Sequence, residues 1–144
     1  MYSYKGFKMP HNLPLLMSVL FLLLYYTVLL KLFPIQKVIN IIAGKSSCPG
    51  EKIEITRAEA KVLDKIYRAA SFFLKRILRS ERPCLRRTLI LYRWCCRRGI
   101  GSRVIIGVKK SEGTLQSHAW LEIGSLPFKE KPEHLCVYTP MLEG

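Results

Sequence analysis

Two stretches decide how this chain is read: Arg82-Pro83-Cys84-Leu85-Arg86-Arg87 and, further on, Gln116-Ser117-His118-Ala119-Trp120-Leu121-Glu122-Ile123. Pro83 suits a first helical turn, where its missing N–H costs nothing, so Cys84 falls among the free N–H groups of a helix N-terminus. The positive end of the helix dipole, together with Arg82, Arg86 and Arg87, favours thiolate over thiol there, and the thiolate is the reactive species. The second stretch alternates as a strand does. His118, Trp120 and Glu122 share one face, and Ala119, Leu121 and Ile123 share the other. A thiol at a helix start and an imidazole on a strand are the two partners that thiol-based acyl transfer requires.

Upstream of Cys84, Thr56-Arg57-Ala58-Glu59 has the form of a capping box. Behind it, Val62, Leu63, Ile66, Ala69, Ala70, Phe73, Leu74, Ile77 and Leu78 recur at helical spacing. Arg79 to Arg82 turns the chain into the second helix, which runs from Pro83 to about Arg98 and ends at Gly99. The two helices form an antiparallel hairpin. From Arg103 to Val108 the residues become β-branched and read as a strand, Ser111-Glu112-Gly113 as a turn, and Gln116 to Ile123 as its partner. Strands near Leu126 to Lys129 and Leu135 to Thr139 complete a small antiparallel sheet, so the fold class is α+β.

The N-terminal part differs in kind. Leu13 to Leu32 is nearly unbroken in apolar residues, with Asn12 as a candidate N-cap and Pro14 in the first turn. A span needs about 20 such residues. The segment reads either as a membrane helix or as a core helix of unusual hydrophobicity, while a cleavable signal peptide fits less well because no small-x-small site precedes Phe33-Pro34. As a span it would place the basic downstream side, which outweighs Lys5 and Lys8, in the cytoplasm. Pro34 opens a short helix with Ile35, Val38, Ile39 and Ile42 on one stripe, suited to a membrane surface or to capping the core. The expected organisation is an apolar segment over 1–44, a linker over 45–55 containing Cys48-Pro49-Gly50, and a folded domain over 56–144.

Composition narrows the function classes. The 144 residues carry a formal net charge of +14, and 17 of the basic residues lie between Glu51 and Lys110 against 5 acids. An anionic partner follows, and an anionic membrane surface fits better than nucleic acid, since no nucleic-acid motif accompanies the charges. The 5 cysteines, with no C-x-x-C pair, argue against a disulfide framework and a structural zinc site, and one of Cys95 and Cys96 reads as a small buried apolar residue. Neither His11 nor His134 joins a cysteine pair at metal spacing. No cofactor is implied.

The strings Cys84-Leu85-Arg86-Arg87, Arg97-Arg98-Gly99-Ile100, Val104-Ile105-Ile106-Gly107-Val108 and His118-Ala119-Trp120-Leu121-Glu122 together resemble the transglutaminase-like protease of lasso-peptide biosynthesis. The resemblance covers about positions 53 to 130, and the combination is more specific than any one piece. It implies a papain-related fold and removal of the leader from a ribosomally made precursor peptide. By motif, Cys84 is the nucleophile and His118 the general base and acid. The family's third residue is usually an Asp, and this chain has Glu130 at that place, better set than Glu122, which points beside His118 rather than behind it. The Cys84 backbone N–H would be one oxyanion donor. The resemblance is to the stand-alone form of the protease, whose partners are a separate leader-recognition protein and an ATP-dependent lasso cyclase. Two other readings stay open: thioester-mediated transfer to an amine instead of water, and a basic membrane-anchored adaptor without catalysis.

Overall fold

A computed structural model of the chain describes residues 9–44, 54–77, 79 and 83–143. Among these are five helices and one antiparallel sheet: α1 (Met9–Leu32), α2 (Ile35–Ala43), α3 (Arg57–Arg76), α4 (Pro83–Arg97), β1 (Ser102–Ser111), β2 (Thr114–Ile123), β3 (Leu126–Pro127), α5 (Pro132–Leu135) and β4 (Thr139–Glu143). The sheet order is β3-β2-β1-β4. The α+β class expected from the sequence is the class observed. Positions 45–53 of the expected linker, Cys48, Lys5, Lys8, Leu78 and Arg82 lie outside the described residues.

Local chemistry explains the elements. Thr56 and Glu59 form both hydrogen bonds of the capping box, at 3.2 Å to the Glu59 N–H and 2.8 Å from the Thr56 N–H, which satisfies donors that the start of α3 would otherwise leave open. Of its apolar stripe, Leu63, Ile66, Ala69, Ala70, Phe73 and Leu74 are buried, whereas Ile77 caps the helix and is exposed. On α4 it is Cys95 that is buried, with Cys96 part-buried beside it. Between β1 and β2, Glu112 and Gly113 both take positive φ, 50° and 80°, the backbone that a two-residue hairpin loop demands. Thr114 closes that turn by donating to the Ser111 carbonyl at 2.8 Å.

The structure revises three boundaries. α1 starts at Met9 and holds Pro14 inside it, so Asn12 is not its N-cap; Pro14 removes one backbone donor and crowds the carbonyl four residues earlier, a cost that falls near the N-terminal end of the helix. β3 stops at Pro127, because a proline cannot donate to the ladder and Lys129 turns the chain with φ 61°. The last strand begins at Thr139 instead of Leu135, since Pro132 and Glu133 start the short helix α5. Pro140 is then carried by β4, an edge strand, beside a register shift between Ile106 and Gly107.

One apolar cluster unites the layers. It joins Val19, Leu23, Tyr26 and Leu29 of α1 and Val38 and Ile39 of α2 to the inner faces of α3 and α4, and ends on Val104, Leu121 and Ile123 of the sheet. The stripe of α2 thus caps the core. Between α4 and β2 the buried Thr88 hydroxyl lies 2.7 Å from the Cys84 carbonyl and 3.3 Å from the Ala119 carbonyl. That contact pins the first turn of α4 against the strand position next to His118.

Candidate active site

Cys84 lies in the first turn of α4, half-buried, and is hydrogen-bonded to His118 on β2 and to the Ala119 backbone. Burial pushes the Cys84 thiol up, but the His118 and Ala119 hydrogen bonds and the charges of His118 and Arg87 outweigh it and hold the thiol below its ordinary value. Arg87 is itself fixed, donating to Ser71 Oγ at 3.1 Å and lying over the Tyr67 ring at 4.3 Å. For His118 the hydrogen bond to Cys84 is the largest influence; with the Glu130 carboxylate it overcomes burial and raises the imidazole above its ordinary value. The two shifts have opposite signs, as a thiolate–imidazolium pair requires.

Glu130 Oε1 is 3.0 Å from His118 Nε2. That contact leaves the other ring nitrogen for the thiol, so the three side chains form one chain of hydrogen bonds. Glu130 gets there by a bend, not a strand. The Phe128 N–H donates to the Leu121 carbonyl at 2.8 Å, folding the chain back along β2. Lys129 pairs with Asp64 of α3, and the Phe128 ring meets Tyr67 edge-on at 6.5 Å. The longer glutamate side chain, placed by these anchors, spans the distance to the imidazole. Glu122, by contrast, pairs with Arg103 at 2.8 Å across the β1–β2 ladder.

Aromatic rings wall the imidazole. Trp120 is 5% exposed and stacks on His118 with centroids 6.0 Å apart, so it fills the interior and borders the site at once. Tyr138 lies 5.5 Å from His118 and 6.3 Å from Trp120, with Lys109 over its outer side. Sequence reading missed Tyr138, and no local signal marks it. A cleft of about 410 Å³ opens here, lined by Lys109, His118, Glu130, His134 and Tyr138 among others. His134 is exposed, on α5, at the rim of this cleft.

Gly107 makes the aromatic wall possible. It pairs with His118 across the sheet, and a Cβ there would meet the Tyr138 Cβ at 2.8 Å and the Trp120 ring at 3.0 Å. Gly107→Ala should therefore cost about 1–3 kcal/mol of stability, the usual range for overpacking, read as a lower denaturation midpoint in urea. An unchanged midpoint would mean that Tyr138 moves aside freely.

A helix-start thiol, a strand imidazole and a carboxylate on the imidazole's far nitrogen, carried on helices packed against a small antiparallel sheet, define the papain-like class of α+β fold. The chain belongs to the transglutaminase-like superfamily, whose family model matches residues 22–143. Catalysis in that superfamily generally depends on a cysteine. No curated protein and no solved structure matches the chain.

Proposed function

We propose that this protein is a cysteine peptidase that removes the leader from a ribosomally made, lasso-type precursor peptide. The observation that carries the reading is the continuous contact from Cys84 through His118 to Glu130. In it Cys84 attacks the scissile carbonyl as a thiolate, forming a thioester and expelling the amine, to which His118 returns a proton. Glu130 orients the imidazole and stabilises its charge. The Cys84 backbone N–H, at a helix start with no intrahelical acceptor, is an oxyanion donor. Water activated by His118 then releases the leader.

The lasso assignment rests on the combined strings around Cys84, Gly99, Gly107 and His118. Its partners are the precursor, a separate leader-recognition protein and the ATP-dependent cyclase that uses the freed core. The chain works in the cytoplasm, tethered by Leu13–Leu32 to the inner face of the membrane; that helix is long and apolar enough to cross one.

The test is to incubate precursor, recognition protein and this protein and weigh the products. Separate leader and core masses summing to the precursor plus one water are expected. Addition of a supplied amine to the leader would instead select acyl transfer, and an intact precursor would leave the adaptor.

A further inference from the structure

α1 is apolar all round, yet only one side of it is covered. Val19, Leu23, Tyr26 and Leu29 face the core, while Leu13, Met17, Phe21, Leu24, Val28 and Leu32 are exposed, Phe21 at 72% and Leu32 at 69%. The second set recurs at intervals of three and four residues, which places it along a single outer face through the length of the helix. Water against so long an apolar stripe is unfavourable, and a stripe of this kind marks an interaction surface.

Charge identifies what covers it. Met17 and Phe21 also line a groove of about 640 Å³ between α1, α3 and α4, whose other lining residues include Ile66, Ile90 and Trp94 and the two cationic residues Arg93, which also meets the Tyr26 hydroxyl, and Arg97. Lys31 and Lys37 are exposed toward the other end. Apolar walls beside paired cations match an acyl chain attached to an anionic head group, and the chain's formal charge of +14 favours the same partner.

We propose that α1 lies in the plane of an anionic phospholipid bilayer, its outer stripe among the acyl chains, with one anionic lipid seated in the groove under Arg93 and Arg97. α1 does not cross the membrane. A crossing would pull Val19, Leu23, Tyr26 and Leu29 away from α3 and α4 and open the core that supports Cys84. The inference deepens the tether named above but is independent of the peptidase reading, because a Cys84→Ala protein keeps the whole surface.

Flotation of the full chain with vesicles tests it. Binding to phosphatidylcholine vesicles containing phosphatidylglycerol, stronger than binding to phosphatidylcholine alone, is expected, and alkaline carbonate should release the protein. Phe21→Glu should abolish flotation without altering the thermal unfolding curve. The Arg93→Gln, Arg97→Gln double variant should bind the anionic vesicles about 30-fold more weakly, near the value expected for two lost surface cations. Carbonate-resistant membrane retention would overturn the in-plane placement. Equal binding to both vesicle types, no binding, or a soluble dimer dissolved by Phe21→Glu and unaffected by vesicles would overturn the lipid site.

Discussion

Cys84→Ala is expected to reduce precursor cleavage by about 10⁴-fold or more, because in the proposed mechanism the thioester forms on Cys84 and the remaining site only binds and polarises. The loss should come without unfolding, since Cys84 is only half-buried and the packing of α4 rests on Leu89, Ile90, Tyr92 and Cys95. A second measurement reads the same thiol before any substrate is present. Alkylation followed by peptide mapping should label Cys84 below pH 8.5, about where a free thiol titrates. His118→Ala should move that labelling upward, because burial then acts on the thiol with its main opposing hydrogen bond gone. Full cleavage by Cys84→Ala would end the peptidase proposal. Labelling of Cys84 that ignores His118 would end the ion pair.

The next largest effect is expected at Glu130. Glu130→Gln keeps the side chain's length and the Lys129 and Phe128 anchors, so it removes charge and leaves the loop in place. Neutral replacement of an orienting carboxylate can cost about 10⁴-fold in kcat, and a fall of 10²–10⁴-fold is expected here. The pH profile separates orientation from mere support. In the proposed mechanism the active form is the ion pair, present above the lowered thiol pKa and below the raised imidazole pKa. Without the Glu130 charge the imidazole pKa falls, bringing the alkaline limb to lower pH; the weakened imidazolium also stabilises the thiolate less, moving the acid limb to higher pH. The window therefore narrows from both sides. Glu130→Asp should keep a partial effect, its carboxylate withdrawn by one methylene from a 3.0 Å contact. A Glu130→Gln profile of unchanged width and height would remove Glu130 from the proposed mechanism.

How much of this was legible depended on the range of the interaction. Pro83 before Cys84, the Thr56–Glu59 box and the alternation around His118 are local signals, and each element formed where its signal lay. Glu130 was legible as an acceptor following the strand beside His118 and from the family resemblance, but what holds it there was not, because its position depends on Lys129 meeting Asp64 and Phe128 meeting Tyr67, two contacts with a helix far earlier in the chain. Thr88 shows the same barrier. Its helical spacing from Cys84 is visible in the sequence, but its contact with Ala119 spans 31 positions and carries no local mark. Tyr138 looked like part of a strand because Leu135 to Thr139 is rich in strand formers. The start signal of Pro132 and Glu133 prevailed, and Tyr138 was turned toward the imidazole.

The two-sided character of α1 sets the terms on which the protein can be engineered. Deleting the helix to gain a soluble enzyme would also delete Val19, Leu23, Tyr26 and Leu29, each a core side chain of the kind that contributes about 1.5–3 kcal/mol when fully buried. That total approaches the whole stability of a small domain. Repainting the outer stripe with glutamate and lysine at Met17, Phe21, Val28 and Leu32 would change solubility while leaving those four residues in place. In this molecule the segment most easily mistaken for a detachable tail is part of the scaffold.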